Sequence, residues 1–408
     1  MNTPKLLFPK KFAWGVSTSS YQNEDPFLKP ADPNFFETDW DIFYKAGFLK
    51  FPKGNGTLSF SSFEKDIEAL KLLGVTHYRF GVEWARVEPK PGVFNEEAIE
   101  HYVQMAKRLQ KENIIPFVAL WHFTFPSWLT NLNHKNQHGW LHPLAFNHWK
   151  KYVEKIVQNL SPHVNYYGPQ NEPNTQALMG YLIKIWPPGD SLNFFRYQQN
   201  LKESAKFFLK AVEIIKNVQS EAKIFTIQNM VHWHPSRLDP FRILFRWGRD
   251  FNFSHLDQVA KATDIIGFTY YMGESASPLV PLIHALEKRN GHRVSDLGWP
   301  IDPEGLKNLS LQLTKRYQKP LMILENGIAD QGDKKRQKYL MDHLKMIHEA
   351  IAKGADIRGY FHWSLIDNYE WSFGYGPKFG LFHFNGSKNE LKPKPSAHLF
   401  RDWIKNSQ

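Results

Sequence analysis

Short β-rich runs alternate with helical patterns from one end of this chain to the other, and this alternation constrains the fold more than any other feature. In the clearest unit, Phe63, Ile67 and Leu70 recur at helical spacing, and Gly74 follows as a helix stop. Residues 77–82 then carry the aromatic and β-branched side chains of a strand. Such alternation predicts parallel β/α units, because two parallel strands are joined by a crossover helix.

Two helix starts can be predicted from their capping residues. Residues 61–64, Ser-Ser-Phe-Glu, fit a capping box, which predicts that this segment begins the first helix. Asn95 precedes a second apolar pattern that includes Ile99 and Tyr102, so we expect the Asn95 side chain to cap that helix.

Eight strands are predicted in all, which suits a single closed (β/α)8 barrel (the TIM barrel) with residues 1–408 as one domain. An open, doubly wound sheet is the alternative, but Phe12–Gly15 is not a glycine-rich phosphate loop. The predicted strands lie near residues 12–18, 76–82, 115–121, 164–170, 223–228, 264–270, 320–325 and 357–363.

Composition argues against several other classes of protein. The chain has no cysteine, so it has no disulfide framework and no thiolate metal site, which fits a cytoplasmic location. The sequence has no run of about 18 apolar residues and no signal-peptide pattern, so we expect no membrane span. The net charge of +11 comes from scattered Lys and Arg residues, which favours a solvated basic surface over nucleic-acid binding. The 15% aromatic content suits either a core or stacking against sugar rings.

Polar and aromatic side chains that do not suit a strand interior occur where the predicted strands end. In a (β/α)8 barrel, active sites lie at this C-terminal rim. The residues are Gln22 and Glu24 after strand 1, Arg79 on strand 2, His122 after strand 3, Asn171 and Glu172 after strand 4, Tyr270 and Tyr271 after strand 6, Glu325 and Asn326 after strand 7, Trp363 after strand 8, and Glu370 and Trp371 in the loop beyond.

Glu172 and Glu325 are the residues of this set that carry chemistry. Three β/α steps separate them, and a closed barrel brings both carboxyl groups to one rim. Cleavage of an acetal needs such a pair, because one group protonates the leaving oxygen and the other attacks the anomeric carbon or activates a water. Burial and a neighbouring carboxylate would keep the acid protonated near neutral pH. The partner must stay ionised, and Arg79 would supply the necessary cation.

Taken singly, these residues also have structural explanations. A glutamate at a strand end is often a helix cap, and His122 and Trp363 suit core positions. Arg79 suits a structural ion pair with Glu83 or Asp66. Their joint placement on one rim favours the functional interpretation.

At these positions the sequence resembles glycoside hydrolase family 1, the family of β-glucosidases and β-galactosidases, over nearly its whole length. The matching segments are Phe8–Gly15, Tyr21–Glu24, Tyr78–Arg86, Asn171–Pro173, Glu325–Gly327 and Trp363–Trp371. Asn171–Asn174 and Trp186–Gly189 are most similar to the archaeal-type branch. The resemblance implies a retaining β-glycosidase that hydrolyses terminal non-reducing β-D-glycosides through a covalent glycosyl-enzyme intermediate.

The resemblance also implies a role for each matching residue. Glu172 would be the acid/base and Glu325 the nucleophile, and Asn171 would hold the 2-hydroxyl of the sugar. Arg79 and Tyr271 would bond to the nucleophile. The remaining contacts to the sugar would come from Gln22, His122, Glu370 and Trp371 at the outer hydroxyls and from Trp363 as the floor under the ring.

No cofactor is expected, because both catalytic groups are carboxylates and hydrolysis needs no redox step. No His/Cys cluster shows metal-ligand spacing, so we expect no metal site either. The sequence also departs from the family pattern. Thr269 stands where Asn is frequent, which puts one contact near the acid/base in question, and Leu324 stands where Thr is usual. The chain is short for the family, which predicts trimmed rim loops.

Other functions stay open at this point. A transglycosylase would use the same two glutamates with a sugar or alcohol acceptor. A phospho-glycosidase is disfavoured because Glu370 would repel a 6-phosphate. A non-catalytic sugar-binding protein is disfavoured because both glutamates are present. The glycone, the aglycone and the oligomeric state are left open by the sequence.

Overall fold

The computed structural model describes residues 6–26, 32, 34–279 and 294–407. Within these ranges, nine parallel strand segments form the main sheet. They are β1 (Ala13–Ser17), β2 (His77–Gly81), β3 (Ile115–Ala119), β4 (Tyr166–Gly168), β5 (Lys223–Ile224), β6 (Gln228–His234), β7 (Ile266–Ser275), β8 (Leu321–Asn326) and β9 (Ile357–Trp363).

The nine described segments form a closed barrel of eight strands, because β5 and β6 follow one another along a single strand position. β1 pairs with both β2 and β9. β5 pairs with β4, and Phe225, directly after β5, bridges Ile265 just before β7. β6 continues along the same position and pairs with β7. The predicted (β/α)8 barrel is therefore confirmed, and the open doubly wound sheet is wrong.

Helices surround the barrel and connect its strands. None of those in the described ranges combines the length and apolar character needed to cross a membrane. The α-helices are Ser20–Asn23, Asp39–Lys45, Phe63–Leu73, Trp84–Val87, Glu96–Lys111, Ala145–Leu160, Pro173–Ala177, Phe194–Val218, Ile243–Phe253, Leu256–Val259, Pro303–Tyr317, Lys334–Ala352 and Pro395–Asn406.

The two predicted helix starts have different outcomes. Asn95 caps the helix Glu96–Lys111 as expected, and its side chain accepts a hydrogen bond from the Ala98 amide at 3.0 Å. The predicted capping box at residues 61–64 is wrong, because the helix begins after Ser62, which makes no side-chain cap bond. The side chain of Glu64 instead faces outward and pairs with Arg108.

Each predicted strand overlaps an observed one, but the fifth and sixth positions are longer than predicted. Their predicted ends were residues 228 and 270, whereas β6 reaches His234 and β7 reaches Ser275. A register shift between Met230 and His232 breaks the alternation that would have identified the extension. A C-terminal hairpin of Phe382–Asn385 and Glu390–Pro393 was not predicted either.

The barrel interior is filled by large side chains beneath the rim. Phe117 lies with its ring centroid 5.1 Å from that of Phe225 and 5.2 Å from that of Phe361. Met322 and Leu324 belong to the same buried cluster. This packed floor leaves room for a ligand only above it, at the C-terminal ends of the strands.

Candidate active site

A cleft of about 200 Å³ opens at the C-terminal ends of the barrel strands. Arg79 and Asn171 were also predicted for the site, and both are fully buried beside the cleft. Arg79 contacts Glu325, which lines the cleft, and donates a hydrogen bond to Asn171. The predicted residues that line the cleft itself are Gln22, His122, Glu172, Tyr271, Glu325, Trp363, Glu370 and Trp371.

A larger surface hollow, of about 600 Å³, lies between the helices Phe63–Leu73 and Glu96–Lys111. It contains the ion pair of Glu64 and Arg108, whose side chains are 67% and 25% exposed. Exposed pairs of this kind contribute little to stability or chemistry. None of the predicted site residues lines this hollow, so the smaller cleft is the candidate active site.

Glu325 lies at the end of β8 and is bound on both carboxylate oxygens. The Arg79 guanidinium pairs with Oε1, and the Tyr271 hydroxyl donates to Oε2 at 2.5 Å. Arg79 also donates to Asn171 Oδ1 at 3.0 Å. Because Arg79 is completely buried, its positive charge acts on the Glu325 carboxyl group with little screening by water. Glu83, which the sequence analysis considered as an alternative ion-pair partner of Arg79, instead accepts a hydrogen bond from Thr124 at 2.9 Å.

Glu172 follows β4 and is surrounded by neutral donors. Thr269 Oγ1 donates to its Oε1 at 2.6 Å, and Asn229 Nδ2 donates to its Oε2 at 3.1 Å. Burial, followed by the charge of Glu325, raises the pKa of Glu172 to about 7. The residue adopts a left-handed backbone conformation, with φ of 42°, which is uncommon for glutamate and typical of functional sites.

A third carboxyl group, that of Glu370, faces the same cleft. Burial, followed by the charges of Glu325 and Glu172, raises the pKa of Glu370 to about 8. Gln22 Nε2 lies 3.4 Å from Glu370 Oε2 and donates to the Tyr369 carbonyl at 2.8 Å. The buried Arg79 guanidinium contacts Glu325 and not Glu172 or Glu370.

Aromatic rings form one wall of the cleft. The His122 ring lies nearly parallel to Trp363 and to Trp371, with centroid separations of 5.9 and 6.0 Å. Burial and the nearby charge of Arg79 hold the pKa of His122 well below its usual value, so the imidazole is neutral. Within the described part of the chain, His122 Nδ1 is buried without a hydrogen-bond partner, which suits contact with a polar ligand.

Comparison with known proteins agrees with this geometry. The sequence profile described as Glycosyl hydrolase family 1 matches residues 5–253 and 246–408. The chain belongs to glycosyl hydrolase family 1. It is therefore a glycoside hydrolase that acts on β-glycosides.

Relatives of this family 1 chain match it along nearly their whole length. It is 29% identical to Beta-glucosidase A of Acetivibrio thermocellus, with 99% of each chain covered, and 27% identical to the Beta-galactosidase of Sulfolobus acidocaldarius, with 97% and 95% covered. The structure of Fpglu1 from fervidobacterium pennivoraus superposes with a TM-score of 0.89 at 28% identity, covering 98% and 97%. The first alignment spans 458 positions against the 408 residues here, so this family 1 chain lacks segments of that relative.

Three residues that sequence analysis placed on the rim of this family 1 barrel have structural partners instead. Asn326 donates to the Tyr270 carbonyl at 2.7 Å and to the Tyr339 hydroxyl at 2.9 Å. Glu24 accepts hydrogen bonds from Tyr102 at 2.9 Å and from Arg86 at 3.2 Å, away from the cleft. Tyr270 donates to the carbonyl of Asp302 at 2.6 Å and points away from the cleft.

The sequence analysis missed the hydrogen bonds that Thr269 and Asn229 donate to Glu172. Thr269 was noted only as a departure from the family pattern, yet its hydroxyl keeps a polar contact to the acid/base candidate. Asn229 lies one residue beyond residue 228, where the predicted fifth strand ends, so it falls outside the predicted rim. A longer predicted strand would have placed Asn229 on the rim.

Part of the cleft lining is apolar, and some of it follows a residue that bonds to Glu172. Asn229, which donates to Glu172, is followed directly by Met230 and Val231, which both line the cleft. We call the apolar residues that line the cleft the apolar half. We call the group of Gln22, His122, Glu172, Glu325 and Glu370 the polar half. The residues of the apolar half are Met179, Ile185, Trp186, Met230, Val231, Met272 and Phe373.

A possible metal-ligand cluster lies outside the residues that line this cleft. The sequence analysis expected no His/Cys cluster with metal-ligand spacing and no metal site. His232, His234 and Asp302 bring three ligand atoms within 4.8 Å of one another. The His-x-His pattern on a strand was the available signal, but the predicted strand ended before it.

Proposed function

We propose that this β-glycosidase is a retaining enzyme that hydrolyses terminal non-reducing β-D-glycosides by double displacement. The observation that carries the proposal is the contrast between two carboxyl groups in one cleft. Glu325 is bound by a buried guanidinium, whereas Glu172 is bound by neutral donors and has its pKa raised to about 7. Environments that differ in this way assign one group to attack and the other to proton transfer.

In the first step, a carboxylate oxygen of Glu325 attacks the anomeric carbon while the bond to the leaving oxygen breaks. The proton of Glu172 moves to that oxygen, so the aglycone leaves as a neutral alcohol. Arg79 and Tyr271 hold the attacking carboxylate in place and fix its direction. The product is a glycosyl ester of Glu325.

In the second step, water attacks the same carbon and the ester bond to Glu325 breaks. Glu172 is now ionised and accepts a proton from that water, which returns both carboxyl groups to their starting states. The negative charge of Glu325 is lost in the ester. One of the two causes that raise the pKa of Glu172 is therefore removed, which favours its ionised form as a base.

We propose that the polar half holds the glycone. Gln22, His122, Glu370 and Trp371 would bond to the outer hydroxyls, Asn171 to the 2-hydroxyl, and Trp363 would stack beneath the ring. Among the described residues that line the cleft there is no Lys or Arg. A 6-phosphate would therefore find no counter-charge, so a neutral glycone should be preferred to its 6-phosphorylated analogue when kcat/KM is measured for the matched pair.

We propose that the apolar half receives the aglycone, because it lies beside the proton donor Glu172. Its lining offers thioether, aliphatic and aromatic surface, which suits aryl and alkyl leaving groups. Such surface also suits an alcohol acceptor, so transglycosylation competes with hydrolysis at the same site. The ratio of transfer product to free sugar, measured with added alcohol, separates these two activities.

Proton NMR of the first-formed sugar tests the mechanism. An aryl β-glycoside should release the β-anomer first, followed by slow mutarotation to the α-anomer. Appearance of the α-anomer first would show inversion and would remove Glu325 from the role of nucleophile. A crystal structure should place the two carboxyl groups about 5–5.5 Å apart, whereas about 6.5–9.5 Å would favour inversion.

The remaining proposals concern the chain as a whole. We propose that residues 1–408 act as one catalytic domain in the cytoplasm, need no cofactor and bind no nucleic acid. Fractionation of the source cells tests the location, and a binding assay with nucleic acid at several salt concentrations tests the last point. The oligomeric state is to be measured by light scattering.

A further inference from the structure

Two histidines and one aspartate meet at the extended end of β6. His232 and His234 are two residues apart on the strand, so their side chains project to the same face. Asp302 is the N-cap of the helix Pro303–Tyr317. Its Oδ2 lies 2.7 Å from His232 Nδ1 and 3.0 Å from His234 Nε2.

The carboxylate at the centre of this cluster is held from several sides. Asp302 Oδ1 accepts a hydrogen bond from the Gly305 amide at 3.0 Å. The backbone carbonyl of Asp302 accepts one from the Tyr270 hydroxyl at 2.6 Å. A Cβ atom on Gly273 would lie 2.3 Å from Asp302 Oδ2, and one on Gly305 would lie 2.6 Å from it. Backbone on two sides therefore positions Asp302, and the cluster does not depend on a flexible surface side chain.

We propose that His232, His234 and Asp302 bind one divalent transition-metal ion, for which Zn²⁺ is the best fit. Two imidazole nitrogens and one carboxylate oxygen form a donor set that zinc accepts, with water in the fourth position. Tetrahedral zinc has bonds of about 2.0–2.2 Å, so Asp302 Oδ2 would move roughly half an ångström farther from each of the two histidine nitrogens. The two ligating nitrogens must be unprotonated, so any proton they share with Asp302 passes to solvent on binding.

The inferred site is structural, because its three residues lie outside the lining of the catalytic cleft. The metal would tie the end of β6 to the start of the helix Pro303–Tyr317. The same strand carries Asn229, which donates to Glu172, and Met230 and Val231 of the apolar half. We therefore expect the ion to stabilise this part of the rim without taking part in the reaction.

Zinc titration of untagged, chelator-treated enzyme by calorimetry tests the proposal. The wild type should bind one equivalent of Zn²⁺. His234→Ala should weaken binding at least about 30-fold, since metal sites lose affinity steeply with each ligand. The His234 side chain is 50% exposed, which makes this substitution easy to tolerate. His383→Ala is the matched control, because His383 is 55% exposed and lies 3.6 Å from Asp367.

Two further measurements complete the test. Zinc should raise the Tm of the wild type and of His383→Ala by several degrees and leave that of His234→Ala unchanged, because only binding to the folded state stabilises it. Co²⁺ should give the wild type the intense visible absorption of a tetrahedral site. If His234→Ala fails to fold by circular dichroism, His234→Gln takes its place. Absence of stoichiometric binding in the wild type, or equal binding by the His234 variant, would overturn the proposal.

Discussion

The polar half of the cleft can recognise a ligand through directional bonds, whereas the apolar half offers only apolar contact surface. In the polar half, the Glu325 carboxylate is held by the Arg79 guanidinium and the Tyr271 hydroxyl, and Glu325 is 3% exposed. In the apolar half, Ile185 and Phe373 are 37% and 47% exposed and offer only surface for contact. Directional bonds reject a ligand that lacks a matching group, whereas apolar contact tolerates changes of shape. The glycone should therefore be selected strictly and the aglycone loosely.

The largest effect is expected at the nucleophile. Glu325→Ala should lower the hydrolysis of aryl and alkyl β-glycosides alike by on the order of 10⁴–10⁶-fold, since no other group can form the intermediate. Azide should attack from the vacated face and give the α-glycosyl azide, which is identified by NMR. Glu64→Ala, at an exposed position, controls for removal of a carboxylate. Formation of the β-azide by Glu325→Ala would reverse the two roles.

Glu172→Ala should separate substrates by leaving group. Alkyl β-glycosides need the proton of Glu172, so their kcat should fall by about 10²–10⁴-fold. An activated aryl glycoside hardly needs that proton, so its first step should survive and release a burst of aglycone. Azide needs no general base, so it should restore turnover as the β-glycosyl azide. An equal loss for aryl and alkyl substrates, with no burst, would contradict the assignment of Glu172.

The pH profile should follow the raised pKa of Glu172. The group must be protonated to donate, so kcat/KM should fall about tenfold per pH unit above a limb near pH 7. At pH 9 the loss is then about 100-fold. With an activated aryl substrate this basic limb should disappear in Glu172→Ala. A limb that persists near pH 8 in the variant would point to Glu370 instead.

A smaller loss is expected when one contact to the glycone is removed from the polar half. Glu370→Ala removes a hydrogen-bonding group that faces Gln22 Nε2, so kcat/KM should fall by about 10–100-fold for every aglycone tested. The size of the loss should not depend on the leaving group. A loss that varies with the aglycone would show that the boundary between the two halves is misplaced.

The smallest effect is expected in the apolar half. Ile185→Ala should lower kcat/KM two- to tenfold for an octyl or aryl glycoside, which corresponds to roughly 1 kcal/mol of lost apolar contact. The methyl glycoside should be unaffected, because it does not reach that surface. Leu209→Ala is a suitable control, since Leu209 is 40% exposed and lies outside the cleft lining. A uniform loss across all three substrates would argue against a separate aglycone region.

Features that depend on neighbouring residues could be predicted from the sequence, whereas features that depend on residues far apart in the chain could not. Helix caps such as Asn95 and apolar spacing such as that of Phe63, Ile67 and Leu70 are local, so they could be predicted from neighbouring residues. The extension of β6 could not, because a register shift between Met230 and His232 breaks the alternating pattern. That single error concealed both Asn229 and the cluster of His232 and His234.

The sequence by itself determined the barrel, the family and the pair of glutamates, because strand–helix alternation and motif order are written along the chain. Only the tertiary structure decided what each glutamate touches. Arg79 reaches Glu325 across 246 positions, and Thr269 reaches Glu172 across 97. Burial, which raises the pKa of Glu172, is likewise a property of the closed barrel. Side-chain contacts and burial depend on the register in which distant segments pack, and local sequence does not set that register.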